Sequence, residues 1–467
     1  MSATRIERDS MGELRVPAHA LWGASTERAR LNFAYGERPL PRSLWHALGL
    51  LKGALARVHG ELGLLDAEKA AAIAAAADEL AAGMLDEHCV IGVFQTGSGT
   101  SSNMNCNEVL ANRAAERLGH ARGSRAVHPN DDVNLGQSSN DVFPSALQLA
   151  LARDAQRELL PELARLAASF HALADAQFGV VKTARTHLMD AMPIRLGQEF
   201  RGHAQQIERG AARIASATEA LGELPLGGTA VGTGVNADER VAPRVLAALS
   251  RALELPLRTS TAPFQAQAAL DGVVAFGAAL RGLATALYKL TNDLRWLASG
   301  PLAGLDEIRL PALQPGSSIM PAKVNPVVCE GVLMACARVL GHDAVIAFAN
   351  TQAQFELHTM MPLVAEQAHE ALSLLRDAAR NLREKALDGL RIAEGLEARV
   401  ERNPILATAL APRIGYDAAA RIAKAALASG RSVYEIAREQ TGIDAATLAA
   451  LLDPTRLAGE RGRTREG

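Results

Sequence analysis

Pro315-Gly-Ser-Ser-Ile-Met-Pro-Ala-Lys-Val-Asn-Pro326 runs directly into Val327-Val-Cys-Glu-Gly-Val-Leu-Met-Ala-Cys336, and at that junction the sequence changes character. Pro315, Pro321 and Pro326, with Gly316, make a constrained loop that cannot be helical throughout. Over 326–350 apolar residues recur at three and four, the pattern of an amphipathic helix. Pro326 opens that helix, where its missing N–H costs nothing. Between the prolines sit two hydroxyls, Ser317 and Ser318, a cation, Lys323, and an amide, Asn325. Lys323 and Asn325 stand where a helix begins, a favourable place for a carboxylate. A flexible Gly-Ser-Ser linker rarely adds Met, Lys and Asn between prolines. The segment reads as a binding loop on a helical scaffold.

Other long helical patterns lie at 145–178, 196–222 and 264–299, rich in alanine and leucine. A helix of about 35 residues is about 50 Å long, and several side by side form an elongated bundle. Pro161 removes one backbone donor and is expected to kink the first. The chain has 467 residues, 48% hydrophobic and 21% charged but only 4% aromatic. Alanine loses little side-chain entropy in a helix, whereas sheets lean on aromatic and β-branched residues. An all-α protein of slender, closely packed helices follows, and helices this long seldom bury their apolar faces within one chain. Oligomerisation through a shared bundle is therefore expected.

Charge excludes several classes of function. Lys plus Arg number 49 and Asp plus Glu 51, with no basic block that suggests nucleic acid. The start, Met1-Ser-Ala-Thr-Arg-Ile-Glu-Arg-Asp-Ser10, lacks the apolar core of a signal peptide. No run of about 18 uninterrupted apolar residues appears, so no membrane span is expected. The basic tail after Arg456 is expected to be frayed and solvated. Cys89, Cys106, Cys329 and Cys336 include no C-x-x-C pair, so neither an iron–sulfur cluster nor a structural zinc is expected. Cys329 and Cys336, seven apart on one helical face, read as core thiols. No metal or other cofactor is expected, and a reducing cytoplasm fits.

Several connectors are too polar for ordinary loops. They are Thr96-Gly-Ser-Gly-Thr-Ser-Ser-Asn-Met-Asn105, His128-Pro-Asn-Asp-Asp-Val-Asn134, Gln137-Ser-Ser-Asn-Asp141, Arg185-Thr-His187 and Gly227-Gly-Thr-Ala-Val-Gly-Thr-Gly234. Each serine segment alone could be a helix N-cap, and Asp141 before Pro144 is one such reading. Together, Ser98–Asn103, Ser138–Asn140 and the loop with Lys323 form a set suited to a small dianion. P-loop and dinucleotide fingerprints are absent. His187 is a candidate for proton transfer, because a free histidine side chain titrates near neutral pH. Glu330, opening the last helix, is a carboxylate available to orient it.

Gly316-Ser-Ser-Ile-Met-Pro-Ala-Lys-Val-Asn325 resembles the signature loop of the fumarase/aspartase superfamily, and the other segments match that family in order over nearly the whole chain. The resemblance implies an all-α homotetramer whose chain has three domains: 1–137, a central long-helix bundle domain over 138–394, and a small helical domain over 395–467. It implies active sites built from three subunits, with no nucleic acid or membrane partner. Ser138-Ser139-Asn140, Thr96-Gly-Ser-Gly-Thr100 and Pro315 resemble the class II, iron-independent fumarase branch, implying reversible anti addition of water to fumarate, giving L-malate.

By that resemblance Ser317 is the base, with His187 and Glu330 also catalytic. Ser98, Gly99, Thr100, Ser138, Ser139, Asn140, Thr186, Ser318, Lys323, Val324 and Asn325 bind substrate. Arg125, His128, Pro129, Asn130 and Asp131 resemble a secondary dicarboxylate site. Some positions depart from the family pattern: Gly136 for serine, Gln265 for glutamate, Ala322 for glycine, and His358 in a Phe-Glu-Leu-Asn context. Asp306-Glu-Ile-Arg-Leu-Pro311 and Ala322-Lys-Val-Asn-Pro-Val-Val328 resemble aspartases equally well, so aspartate ammonia-lyase is the alternative. A member kept as a structural or binding protein is the remote one.

Overall fold

The computed structural model describes residues 3–36 and 38–463. A hairpin of β1 (Thr4–Asp9) and β2 (Gly12–Pro17) leads into α1 (Ala24–Asn32), α2 (Arg42–Glu61), α3 (Ala67–Ala81), α4 (Thr100–Arg117), α5 (Ser139–Asp154) and α6 (Leu160–Ala176). A second hairpin, β3 (Val181–Thr186) and β4 (Met189–Arg195), precedes α7 (Leu196–Ala220) and α8 (Val241–Leu253). Then come α9 (Pro263–Ala268), α10 (Asp271–Leu297), α11 (Val327–Asn350) and α12 (Met361–Asn381), with short helices between Leu396 and Ala458. The fold is all-α with small two-stranded ladders, as the composition suggests.

The chain forms two compact units. One is built from the chain up to Pro161, Ala212–Ala284 and Cys336–Arg376; the other from Glu162–Ala211, Thr285–Ala335 and the chain from Asp377 onward.

In the first unit, α2 and α3 illustrate what the alanine-rich composition does. Asp66 caps α3 by accepting from the backbone N–H groups of Glu68 and Lys69, leaving the alanine face to pack. On α2, Gly49 and Gly60 let α3 approach closely: a Cβ at Gly49 would lie 2.7 Å from Ala81 N, and one at Gly60 2.8 Å from Ala70 Cβ. One turn before Pro161, where a kink is expected, the helix widens into the π-helical turn Ala155–Leu159. Proline cannot donate to the carbonyl one turn back, and a wider turn absorbs the missing bond. The single helix expected over 264–299 is two helices. Ala269 is extended (φ −141°, ψ 152°), and Asn350 bridges the break, accepting from Leu270 N and donating to Asp271, both at 2.8 Å. Here Gln265 donates to Asp271 Oδ2 at 2.7 Å, which a glutamate in its place would not do while ionised.

In the second unit, a core of Val400, Leu406, Leu410, Ile422, Ile436 and Leu448 also takes in Val181 at the base of β3. Asn403 Nδ2 donates to Ala191 O at 2.8 Å, fixing the same hairpin from its other strand. The tail is not frayed as far as Arg463. Arg195 donates to Gly459 O and pairs with Glu460 at 2.8 Å, and Gln198 donates to Ala458 O and Arg461 O. The buried guanidinium satisfies carbonyls that the short final helix leaves open. The last four residues of the tail lie outside the described residues. Cys329 and Cys336 are buried, as their spacing suggests.

Helices α10 and α11 are, by length and composition alone, long and apolar enough to cross a membrane, which scanning for uninterrupted runs does not reveal. In each, 44% of the apolar window is already buried within the chain.

Candidate active site

In the first unit, two serine segments meet at the N-termini of α4 and α5. Gly99 takes φ +74° in the turn closed by Gly99 N donating to Thr96 O at 2.8 Å, and α4 starts at the next residue. A side chain at Gly97 is excluded, since a Cβ there would lie 1.8 Å from Thr359 O. Ser98 and Thr100 share a hydrogen bond between hydroxyls at 2.8 Å. Ser138, not Asp141, is the N-cap of α5: its Oγ accepts from Asn140 N, while Asp141 at N3 accepts from Ser138 N. Asn103 of α4 donates to Ser139 Oγ at 3.2 Å, so the two segments form one polar surface.

Asp141 does more than close the capping box. Its other oxygen accepts from Gly227 N at 3.0 Å and Thr229 N at 3.1 Å, and Asn140 Nδ2 donates to Ala230 O at 2.8 Å. The Gly227–Gly234 loop is thereby tied to Ser138–Asn140. Burial pushes the Asp141 carboxyl up to about 6 against the three backbone donors that favour its charge.

Of the residues that resemble a secondary dicarboxylate site, His128–Asp131 share one turn of the first unit, and Arg125 precedes it. His128 caps the π-helical turn Pro129–Val133, its Nδ1 accepting from Asn130 N and Asp131 N. Asp132 fixes that turn, accepting from His128 N at 2.7 Å and pairing with Lys69 at 2.8 Å. Arg125, at φ +59°, donates to Arg8 O.

In the second unit, Thr186 and His187 stand at the exposed tip of the β3–β4 hairpin. His187 and Leu188 have φ +57° and +60°, two left-handed residues in succession, the backbone of a tight hairpin turn. Beneath the tip, buried Glu307 pairs with both Lys182 and Arg185 of β3.

The Ser317 loop closes on itself at the foot of α11. Gly316 N donates to Lys323 O at 2.9 Å, and Asn325 Nδ2 donates to Gly316 O at 2.7 Å. Gly316 is required, because a Cβ would lie 2.3 Å from Lys323 O. Ser317 Oγ accepts from Ile319 N and Met320 N, both at 3.2 Å. Two N–H dipoles aimed at one oxygen favour negative charge there. Ser318, Lys323 and Val324 are exposed around it. Ala322 has φ +67°, a left-handed conformation in which glycine would be unstrained. Glu330 stands exposed in the first turn of α11 and makes no hydrogen bond with His187 among the described residues.

Sequence reasoning missed the supports of these segments: Lys52, the second oxygen of Asp141, and Glu307. Lys52 carried a signal, the one charged residue inside the apolar run Ala47–Ala56.

A lyase family model matches residues 12–341, and a model of the fumarase C C-terminus matches 406–459. With the all-α fold and the Ser317 loop, this makes the chain a member of the fumarase/aspartase family of lyases. Within it, the chain is 50% identical over 433 residues to a class II fumarate hydratase of Mycobacterium tuberculosis, covering 92% of this chain and 90% of that one. It is 46% identical over 454 residues to that of Xylella fastidiosa, covering 97% and 95%. A class II fumarase structure from Schistosoma mansoni superposes with a TM-score of 0.95 at 34% identity, covering 98% of this chain and 100% of that one. A cobalt-bound Brucella melitensis structure described as fumarate lyase:delta crystallin gives 0.93 at 43% identity, with the same coverage.

Proposed function

We propose that this chain is a class II fumarate hydratase, interconverting fumarate and L-malate by anti addition and elimination of water. One observation carries the reading: a chain nearly half identical to class II fumarate hydratases over almost its full length keeps Ser317, Lys323 and Asn325 in a loop that closes on itself. The substrate is a small dicarboxylate.

In the elimination direction a base removes a proton from the carbon next to a carboxylate, and the aci-carboxylate that forms carries extra negative charge. Donors preorganised for that charge bind it more tightly than the substrate. Lys323, Asn325, Thr100, Ser139 and Asn140 supply them. Ser317 is the base; the N–H groups of Ile319 and Met320 stabilise its oxygen as the proton leaves. A free serine is far too weak an acid at neutral pH without such help. His187, oriented by Glu330, handles the proton of the departing hydroxyl. Arg125 and His128–Asp131 form a secondary dicarboxylate site.

Each site draws Ser98–Thr100 with Ser138–Asn140, His187, and the Ser317 loop from three subunits of a homotetramer in the cytoplasm. The three-domain division at 137/138 and 394/395 belongs to the same reading. Exposed Tyr288 and Trp296 on α10, with Met334 and Phe348 on α11, are apolar surface for that shared bundle. Mixing Ser317→Ala with His187→Asn subunits restores part of the activity if sites span chains; no recovery after confirmed subunit exchange contradicts it. Fumarate absorbance tests the reaction itself. It grows from L-malate on this reading; growth from L-aspartate alone means an ammonia-lyase, and dicarboxylate binding without turnover an inactive member.

A further inference from the structure

The first unit contains a buried cation with no role in the mechanism above. Lys52, in the middle of α2, is 1% exposed, and its Nζ donates to Asn134 Oδ1 and Gln137 Oε1, each at 2.8 Å. Both acceptors are neutral amides, so no hydrogen-bonded carboxylate repays the desolvation. Asp141 acts on it only through space. Burial lowers the lysine's pKa to about 8, leaving it mostly charged at neutral pH.

An ammonium has donors and no acceptor, so it fixes which way its partners point. Asn134 must turn Oδ1 toward Lys52, and the same oxygen accepts from Asn103 Nδ2 and Asn107 Nδ2, both at 3.2 Å. Its own amide donates to Gln137 O, while Gln137 Nε2 donates to Val133 O and Leu135 O. Asn103, 1% exposed, thus has one amide proton on Asn134 and the other on Ser139 Oγ, at 3.2 Å. Ser139 Oγ is an acceptor in this chain of bonds. Its own proton finds no acceptor among the described residues, and it lies in the Ser138–Asn140 segment.

We propose that Lys52 is a positioning residue: through Asn134 and Asn103 it sets the hydrogen-bond polarity of Ser139, so that the hydroxyl presents its proton to a substrate carboxylate. The inference rests on the reading of Ser138–Asn140 as dicarboxylate-binding. Were Lys52 replaced by a group without donors, Asn134 and Asn103 could reverse, and Ser139 would spend its proton inward.

The test is a double-mutant cycle on inhibition of the purified full-length protein by succinate, a dicarboxylate that does not react. Ser139→Ala and Lys52→Met should each weaken succinate about tenfold, the loss of one hydrogen bond to a charged group. The double variant should lose about tenfold, not a hundredfold, because both changes remove the same bond. KM should follow succinate while kcat moves less. Additive losses, or unchanged succinate affinity in Lys52→Met, overturn the proposal. Should Lys52→Met not fold, Asn103→Asp replaces it in the cycle: its carboxylate takes the Ser139 proton, so the same non-additive tenfold loss is expected and unchanged affinity is contrary. A wild-type protein that neither hydrates fumarate nor binds succinate overturns the underlying reading instead.

Discussion

Lys182 Nζ lies 2.6 Å from Glu307 Oε2, off the hydrogen-bond axis, and both side chains are almost wholly buried. Lys182 also donates to Glu199 at 2.7 Å, and the other oxygen of Glu307 accepts from Arg185, next to Thr186 and His187. The carboxylate therefore holds the hairpin that presents His187. Glu307→Gln should destabilise the protein by up to about 3–5 kcal/mol, the range for breaking one partner of a buried ion pair. Urea unfolding reads this directly, and an unchanged midpoint would mean Lys182 needs only Glu199.

Ala322 at φ +67° stores strain in the Ser317 loop. A left-handed conformation costs a non-glycine residue about 1–2 kcal/mol, so Ala322→Gly should relieve about that much. Amide hydrogen exchange across 316–325 should slow in the variant; faster exchange would mean that lost chain stiffness outweighs the strain.

Ser317→Ala should lower kcat by about 10²–10⁴, the usual contribution of a positioned base, while succinate still inhibits. Undiminished kcat removes the serine-base assignment. Lys323→Ala should instead lower kcat/KM with weaker dicarboxylate binding, because it clamps charge in both ground and transition states.

Burial pushes His358 down to about 4, with its Nδ1 accepting from Met360 N, and pushes His203 down to about 4 as well. Unfolded histidine titrates near 6.5, so between about 6.5 and 4 the unfolded chain binds more protons than the folded one. Stability is full above that window and falls as pH drops through it. His358→Asn, whose oxygen can also accept from Met360 N, should reduce the loss in urea midpoint between pH 7 and pH 5; an unchanged loss would put the acid sensitivity elsewhere.

The helices and the binding loops were legible because their signals are local: period at 326–350, proline and glycine at 315–326, and clustered small polar residues at 96–105 and 137–141. The cap of α5 was misplaced on Asp141, since Ser138 and Asp141 share the capping box. The break at Ala269–Leu270 was not legible, since it depends on Asn350, far along the chain. Nor was the docking of the tail on Arg195, where a buried guanidinium outweighs the composition of the last residues. Of the site, the residues facing a ligand were readable as a set. Their supports were not: Lys52, the second oxygen of Asp141, and Glu307 act through hydrogen-bonded partners 82 to 122 positions away, which no local pattern identifies.

The central claim is hydration of fumarate by this chain, and proton NMR of fumarate incubated with the protein in D2O tests it most directly. The account predicts L-malate as a single diastereomer carrying one non-exchanging deuterium at the methylene carbon, lost in Ser317→Ala. No malate, with L-aspartate appearing only when ammonium is added, would contradict it.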